Sequence, residues 1–343
     1  MEEKREALFG KTLNQLETVV KELELPRFTA AQIADWLYKK DVTAIEEMTN
    51  LSKAAREKLT SRFEVGLSDP VKVQTSVDGT KKYLYRARNG KFIETAYMPE
   101  RNRHTLCVSS QVGCKMGCLF CFTAKQGFQG NLSAGEILNQ IRSLPERHQL
   151  TNIVYMGMGE PFDNMEGVMQ SLEILTSDYG FGMSPRRITV STIGIIPAMK
   201  VFLEESTCHL AVSLHSPFEE ERRRLMPIEH VYSLTEVLEA IRSFPLGKQR
   251  RISFEYIVFK DLNHSPRHVK ELARILNGIR CRINLLRFHP VPGTPLQAPD
   301  DATLGEFKTA LENKGIVTTI RKSRGQDIYA ACGLLSTKEQ QVI

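Results

Sequence analysis

The sequence contains one tryptophan, an odd number of cysteines and no long apolar segment. No stretch approaches the ~20 apolar residues that a membrane-spanning helix needs, so we expect no membrane partner. The amino terminus, MEEKREALFGK, has no apolar signal region. Seven cysteines without a secretory context do not indicate a disulfide framework. We therefore expect thiols in a reducing, cytoplasmic compartment.

The charge is mildly basic and unevenly distributed. The chain of 343 residues has a formal charge of +6 and an apolar share of 41%, which is ample for a sizeable core. Basic clusters occur at Arg222–Arg224, at Lys248, Arg250 and Arg251, and at Arg321, Lys322 and Arg324. Such clusters could neutralise phosphates, but ordinary surface charge explains each of them equally well. Charge alone therefore does not establish RNA binding.

The first third of the chain changes from helical to strand periodicity. Apolar residues recur at helical spacing from Leu8 to about Val65, with Thr29–Gln32 as a candidate capping box and Asn50 or Ser52 as a candidate N-cap. Residues 71–98 have a period near two, and Asp78-Gly79 and Asn89-Gly90 are strong hairpin signals. We predict a helical domain over residues 1–66 and a β-meander linker over 67–103.

Strands and helices alternate from residue 104 to the carboxyl-terminal region. Strands are predicted at 104–109, 151–157, 186–192, 208–214, 251–259 and 282–288, with helices between them and a last strand at 316–322. This order implies parallel strands with right-handed crossovers. Six βα units are too few to close a TIM barrel. The predicted fold class is therefore α/β, an open, partial (βα)6 barrel over residues 104–343, with the helical domain and the meander as extensions.

A cysteine-rich stretch follows the first barrel strand. Residues 107–123 read CVSSQVGCKMGCLFCFT, in which Cys114, Cys118 and Cys121 have a CxxxCxxC spacing. Thiolates select iron–sulfur clusters, zinc or copper(I). Structural zinc sites and simple electron-transfer clusters use four ligands, so three thiols fit a [4Fe–4S] cluster with one iron open to another ligand. A zinc loop with Cys107 as fourth ligand, or buried thiols, is the alternative.

Polar residues end several predicted strands. In parallel α/β folds, ligands bind at the carboxyl ends of strands. The first strand ends in the cysteine loop and the second in MGMGEP, where Gly159 allows close approach and Glu160 could accept from an ammonium group. Later strands end near Ser191, near Ser213 and His215, and near His289. We expect a shared site at this edge of the sheet.

Several motifs, all in the same order, resemble the RlmN/Cfr family of radical S-adenosylmethionine (SAM) RNA methyltransferases. They are CVSSQVGCxxxCxxC, MGMGEP, SPRRITVSTIGIIP, SLHSPFEEERRRLMPI and RGQDIYAACG, and the resemblance covers nearly the whole chain. It implies a radical-SAM barrel and methylation of carbon 2 or carbon 8 of an adenine. It also implies one [4Fe–4S] cluster per chain, held by Cys114, Cys118 and Cys121, and two SAM molecules per turnover.

The resemblance also implies roles for three further residues. Cys332, in the AACG segment, matches the cysteine that accepts a methyl group from the first SAM. A radical formed from the second SAM then activates that methyl group, which joins the adenine in a covalent RNA–protein adduct. Cys107 matches the cysteine that resolves the adduct through a transient disulfide with Cys332. Glu94 matches a proton-handling carboxylate, although a solvent-facing position in the run FIETAYM is the alternative.

For SAM binding, the resemblance implies the two MGMGEP residues and groups on three later strands. The set is Gly159, Glu160, Ser191, Ser213, Leu214, His215 and His289. His289 stands where the family often has asparagine, and Phe122 replaces a small residue that is common after the last cluster cysteine. Both are departures from the family pattern.

The FTAKQGF stretch favours an RlmN-type enzyme, which makes 2-methyladenosine in 23S rRNA and in tRNA. A Cfr-type C8 methyltransferase is the alternative. The segments SPRRITVSTIGIIP and SLHSPFEEERRRLMPI are closer to that type in sequence. A non-catalytic metal-binding RNA-binding protein is a third reading, but it would not need Cys332. The resemblance further implies a monomer and an electron donor such as flavodoxin or ferredoxin.

Overall fold

The computed structural model describes residues 5–245, 247 and 250–337. Lys248 of the second basic cluster lies outside these residues. The strands are β1 (Glu6–Ala7), β2 (Phe63–Glu64), β3 (Lys72–Thr75), β4 (Lys81–Arg86), β5 (Phe92–Glu100), β6 (Arg103–Cys107), β7 (Gln111–Val112), β8 (Gly130–Asn131), β9 (Asn152–Tyr155), β10 (Ile188–Thr192), β11 (His209–Ser213), β12 (Ile252–Val258), β13 (Cys281–Arg287) and β14 (Thr318–Ile320).

The helices alternate with these strands through the second half of the chain. They are α1 (Leu13–Glu22), α2 (Thr29–Tyr38), α3 (Lys53–Arg62), α4 (Phe122–Gln126), α5 (Ala134–Arg142), α6 (Met165–Thr176), α7 (Ile196–Glu205), α8 (Glu219–Leu225), α9 (Leu234–Arg242), α10 (Pro266–Ile275) and α11 (Asp301–Glu312). Among the residues described, no helix is long and apolar enough to cross a membrane.

Ten strands form one sheet in the order β14-β13-β12-β11-β10-β9-β6-β5-β4-β3. From β6 to β14 neighbouring strands are parallel, and from β3 to β6 they are antiparallel. The six strands predicted for the βα run are all present in the predicted order, so the partial barrel is confirmed. The last predicted strand extends it as β14. The meander joins the same sheet through β5 and β6, and the predicted domain division at residues 103 and 104 stays a prediction.

The amino-terminal helices follow the predicted pattern with one error. Ser52 caps α3 by accepting from the Ala55 N–H, as predicted. The capping box proposed for Thr29 is wrong, because α2 already includes Thr29 and its N-cap, Phe28, makes no side-chain cap. Thr29 is buried, so its side chain packs inward and does not cap the helix. The short parallel pair of β1 and β2 was not predicted.

The helical unit contacts the barrel where two glycines meet. Gly10 has φ +97°, and a Cβ there would lie 2.3 Å from the backbone nitrogen of Gly135, near the start of α5. Tyr38 of α2 packs on Phe9 and Phe181, with ring centroids 5.5 and 5.9 Å apart. Because interiors are closely packed, this contact leaves no space for a side chain at residue 10.

We therefore expect Gly10→Ala to lower the free energy of unfolding by more than the cost of placing alanine in a left-handed backbone conformation. Gly278 is the matched control, because it has φ +79° and a Cβ there would meet no neighbouring group of the described residues within 4 Å. Both alanines meet the conformational penalty of positive φ. Only Gly10→Ala adds overpacking, which costs about 1–3 kcal/mol. Urea unfolding of both variants measures the difference, and equal losses would show that the two units do not pack as described.

Candidate active site

A cavity of about 220 Å³ lies at the carboxyl ends of the parallel strands. The residues predicted for the site that line it are Cys107, Cys114, Cys118, Cys121, Gly159, Glu160, Ser191, Ser213, His215, His289 and Cys332. They come from strand ends and the loops that follow them, the cysteine loop and the carboxyl-terminal segment. Leu214 and Glu94 do not line the cavity. The structure therefore brings together most residues that the sequence singled out.

The cysteine loop is held in a compact turn next to the cavity. The N–H of Cys114 donates to the carbonyl of Gly127 at 3.2 Å, and the N–H of Leu119 donates to the carbonyl of Leu225 at 2.9 Å. Gly113 has φ +72°, and a Cβ there would overlap the Gly127 carbonyl. Cys121 is the N-cap of α4. These contacts orient three thiols toward one space.

The three thiols have the chemistry of metal ligands. Burial raises the pKa of Cys114 to about 12 and raises that of Cys118 well above its usual range, and the neighbouring thiols add to both effects. Burial also raises the pKa of Cys121. Buried thiolates therefore need a cationic centre to stabilise them. A [4Fe–4S] cluster supplies one, so the residues fit this cofactor.

The arrangement of the side chains gives no support to the zinc alternative. A mononuclear zinc site draws its ligands within ~2.3 Å of one point. In the part of the chain that the structure describes, no three His, Cys, Asp or Glu side chains are arranged to hold a single metal ion. Cluster cysteines each bind a different iron, so they need not converge on one point.

Glu160 is a buried carboxylate that its neighbours hold firmly. Its Oε1 accepts from the Phe162 N–H at 3.1 Å, and its Oε2 accepts from the Ile193 N–H at 3.1 Å. Burial raises its pKa to about 7, although hydrogen bonds from Thr192, Ile193 and Phe162 oppose the shift. A cationic ligand would offset the cost of burying this charge. The ammonium group of SAM has the required charge.

Arg222 joins the ends of two strands beneath the site. Its guanidinium donates to the carbonyl of Ile193 at 2.9 Å and to that of Ser213 at 3.2 Å, and it forms a fully buried ion pair with Glu229. We expected the cluster Arg222–Arg224 to be surface charge or a phosphate contact, and for Arg222 both interpretations are wrong. The run EEERRRL gave no signal that its first arginine would be buried.

His215 is buried in a strained backbone conformation. It has φ 55°, its Nδ1 accepts from the Ile257 N–H at 2.9 Å, and its carbonyl accepts from Asn263 at 2.6 Å. Burial and the Arg222 charge lower the pKa of His215 to about 3. The ring is therefore neutral, with its proton on Nε2. Leu214 is a core residue whose N–H donates to the carbonyl of Glu255 at 2.9 Å.

His289 lies at the rim of the cavity. Its Nε2 and the hydroxyl of Ser323 are 2.8 Å apart. Burial lowers the pKa of His289, as does the nearby Arg287. This histidine therefore already has a protein partner on one ring nitrogen.

Cys107 and Cys332 face the same cavity from different parts of the chain. Cys107 ends β6 and is buried in a cluster with Ala96, Val154 and Ala330. Cys332 is accessible from the cavity, and both residues are free thiols. Burial raises the pKa of Cys107 to about 12, to which Cys332 contributes. Desolvation by the surrounding cavity wall, together with the Glu255 charge, raises the pKa of Cys332 to about 11. The charge on one thiol therefore affects the other.

Glu94 lies behind the cavity wall. The solvent-facing alternative is wrong, because Glu94 is fully buried. Its carboxylate pairs with the buried Lys82 at 3.0 Å and accepts from the Ser336 N–H at 2.9 Å.

Sequence reasoning also missed Glu255, which lines the cavity and accepts from Asn284 at 2.7 Å. Period-two alternation along β12 places Glu255 on the inner face, and this was the available signal.

Two family models match the chain. The Radical SAM superfamily model matches residues 108–274, and the model for the ribosomal RNA large subunit methyltransferase N-terminal domain matches residues 7–65. The first match covers the barrel strands from β9 to β12 and most of α10. The second covers the amino-terminal helices.

Curated relatives and a solved structure match over nearly the full length. A probable dual-specificity RNA methyltransferase RlmN from Phocaeicola vulgatus is 54% identical, with 99% of this chain and 98% of the relative covered. One of the same name from Parabacteroides distasonis is 56% identical, with 98% of each chain covered. A radical SAM methyltransferase from Sphaerobacter thermophilus superposes with a TM-score of 0.90 at 39% identity, covering 97% of this chain and 100% of that one.

The relatives carry the RlmN name, so the Cfr-type alternative is not favoured. Identity above half over nearly the whole length shows the family to which the chain belongs. The chain belongs to the RlmN family of radical SAM RNA methyltransferases.

Proposed function

We propose that this protein methylates carbon 2 of an adenine in 23S rRNA and in tRNA. The observation that supports this most strongly is the shared cavity, in which three cluster cysteines, the strand-end residues near Glu160 and the Cys107–Cys332 pair meet. The relatives named as dual-specificity RNA methyltransferases support the substrate class. The adenine carbon is electron-poor and has no lone pair, so it cannot attack a methyl sulfonium directly.

In this proposal, Cys114, Cys118 and Cys121 hold the cluster. Gly159 and Glu160, with Ser191, Ser213, Leu214, His215 and His289, form the SAM site. When bound, the cluster and SAM supply a methyl group and the one-electron chemistry that activates it. Glu160 binds the ammonium group, and the neutral His215 offers an N–H donor. Leu214 contributes through its backbone, since its side chain is in the core.

The two remaining thiols carry and release the one-carbon unit. The sulfur of Cys332 accepts the methyl group. SAM and the cluster would supply the acceptor for the hydrogen atom that this carbon loses, so that the carbon can bond to the adenine ring. The ring carbon then loses a proton, and the cluster would take up the remaining electron. The thiolate of Cys107 then attacks the sulfur of Cys332. The carbon–sulfur bond breaks and its electron pair goes to the one-carbon unit, which takes up a proton to become the methyl group. The methylated RNA then leaves and a disulfide remains. Glu94 is our candidate for the final acceptor of the ring proton, which would have to reach it through an intervening group because Glu94 does not line the cavity.

The remaining partners follow from this chemistry. The disulfide must be reduced after each turnover, and the cluster needs an electron, so we propose a cytoplasmic location and an electron donor such as flavodoxin or ferredoxin. We also propose that the protein acts as a monomer.

We expect anaerobically purified protein to be brown and to contain about four irons per chain. Replacing Cys114, Cys118 or Cys121 by alanine removes one of three thiolates and should abolish both the cluster and methylation. Iron analysis and nucleoside mass spectrometry measure the two losses. Cys208→Ala is the matched control, because Cys208 is a buried core thiol outside the cavity. A fully active, colourless zinc form would rule out the cluster.

Glu160→Gln should weaken SAM binding while leaving the iron content unchanged. Loss of a charge-assisted hydrogen bond costs about 2 kcal/mol, or roughly 30-fold in the dissociation constant. The folded pKa of Glu160 is raised to about 7, so wild-type protein without cofactors should lose stability as pH rises from about 4.5 to 7. The Glu160→Gln variant should lack that part of the slope.

Equilibrium dialysis and urea unfolding at several pH values provide these measurements. Glu239→Gln is the control, because Glu239 is exposed on α9. Unchanged SAM affinity in Glu160→Gln would remove Glu160 from the binding site.

Alanine variants of the two carrier thiols should lose activity at opposite steps, before and after the bond to RNA forms. Cys332→Ala lacks the methyl acceptor and should never bond to RNA, whereas Cys107→Ala can form the adduct but cannot resolve it. We therefore expect Cys107→Ala protein to co-purify with covalently attached RNA. The Cys332→Ala and Cys107→Ala/Cys332→Ala proteins should carry none. Denaturing gels with and without nuclease show the adduct, and normal turnover of Cys107→Ala would make Cys107 a packing residue.

A further inference from the structure

The segment around Cys332, residues 325–335, is here named the carrier segment. Its upstream end exchanges hydrogen bonds with the turn between β3 and β4. Asp327 accepts from the hydroxyl of Ser76 at 2.5 Å and from the Val77 N–H at 3.2 Å. In return, Asp78 accepts from the Gly325 N–H at 3.0 Å. Each turn therefore supplies a carboxylate to the other, although the two turns are far apart in the sequence.

Both carboxylates are stabilised in their charged form. Burial alone would raise the pKa of Asp78, but hydrogen bonds from Thr80, Gly325 and Ser76 lower it to about 2. The hydrogen bond from Ser76 lowers the pKa of Asp327. Charge-assisted hydrogen bonds of this kind are stronger than neutral ones.

Close packing accompanies these hydrogen bonds. Gly325 has φ +61°, and a Cβ there would lie 2.8 Å from a methyl carbon of Thr80. Thr80 is fully buried. The contact therefore admits only glycine at residue 325, and the two turns are joined by shape as well as by charge.

The downstream end of the carrier segment is attached to the cysteine loop. The N–H of Phe122 donates to the carbonyl of Gly333 at 2.8 Å. The ring of Phe122 packs on Val291, Ala331 and Leu334. The hydroxyl of Thr123 donates to the carbonyl of Leu335 at 2.6 Å. The residue that follows the last cluster cysteine thus contacts the residues on both sides of Cys332.

We propose that the β3–β4 turn and Phe122 form a two-sided clamp that positions Cys332 in the cavity. Asp78, Asp327 and Phe122 are positioning residues, since none of them lines the cavity. This inference rests on the proposed function, in which Cys332 carries the one-carbon unit. It assigns a role to Phe122, whose side chain the family pattern does not explain.

The carrier chemistry explains why a clamp is useful. The sulfur of Cys332 must meet a methyl donor, an adenine carbon and the thiol of Cys107 in turn. Reacting atoms need to approach within about 3–3.5 Å, and small displacements cost rate steeply. Loops without such anchors open locally. Because the segment is held at both ends, Cys332 can move only by side-chain rotation and small backbone shifts.

The test uses the full-length protein and two variants, Asp327→Ala and Phe122→Ala. Each removes one side-chain contact of the clamp, and the double variant removes both, while the Asp78–Gly325 bond, the Phe122–Gly333 backbone bond and the Thr123–Leu335 bond remain. Hydrogen exchange with mass spectrometry should show amides of residues 325–335 exchanging about tenfold faster in each variant, and faster still in the double variant. Exchange in the barrel strands should not change. This readout does not require methylation, so it tests the clamp even if the proposed function fails.

Steady-state methylation of RNA is the second measurement. Loss of positioning should lower kcat about tenfold or more while KM for RNA stays within about twofold, because the RNA contacts are intact. Phe122→Leu and Asp327→Asn should restore much of the rate, since they keep an apolar side chain and an acceptor. Phe28→Ala and Asp178→Ala are matched controls, because both side chains are exposed and distant in sequence from the carrier segment.

Two results would overturn the clamp. One is unchanged exchange of residues 325–335 in folded variants. The other is faster exchange with an unchanged kcat, which would show that mobility of the segment does not limit the reaction. If a single alanine variant fails to fold, its conservative partner provides the same comparison.

Discussion

The arrangement of the site depends on one buried cation. The Arg222 guanidinium is inaccessible to solvent and bonds to the carbonyl groups that follow β10 and end β11. Removing a charge from water costs several kcal/mol, which is offset only by well-placed partners. Glu229 provides the counter-charge and also accepts from the Leu234 N–H at 2.9 Å. These contacts therefore hold the two strand ends together.

Glu160 extends this arrangement to the next strand. The backbone N–H of Ile193 donates to Glu160, while the carbonyl of the same residue accepts from Arg222. One residue therefore connects an anion that lines the cavity with a cation beneath it. The ends of β9, β10 and β11 are tied by three side-chain contacts that all lie at the ligand-binding edge. The geometry of a SAM site can thus be set by the protein alone.

The sequence predicted the barrel well because its signals were local. Hydrophobic periodicity predicted the six barrel strands with helices between them, and local capping chemistry predicted Ser52 as the N-cap of α3. Strand order followed from chain order in a parallel sheet.

The sequence could not predict which charged residues are buried, because Arg222 and Glu94 lie in segments that also fit a solvent-exposed position. The residues that pair with Arg222 and Glu94 are determined by tertiary packing, and no local sequence pattern predicts such pairs. The Thr29 cap failed for the same reason, since packing buried its side chain.

The two departures from the family pattern each contact residues within or next to the carrier segment. His289 contacts Ser323, just before the carrier segment, and Val291, two residues later, packs against the ring of Phe122 together with Ala331 and Leu334. Closely packed groups respond to each other's volume, so a larger side chain at residue 122 requires a matching surface on residues 289–291 and 331–334. Neither replacement alters a proposed cluster ligand or a proposed carrier thiol. In the proposals above, Phe122 therefore bears on the support of the carrier segment, whereas His289 also belongs to the SAM site.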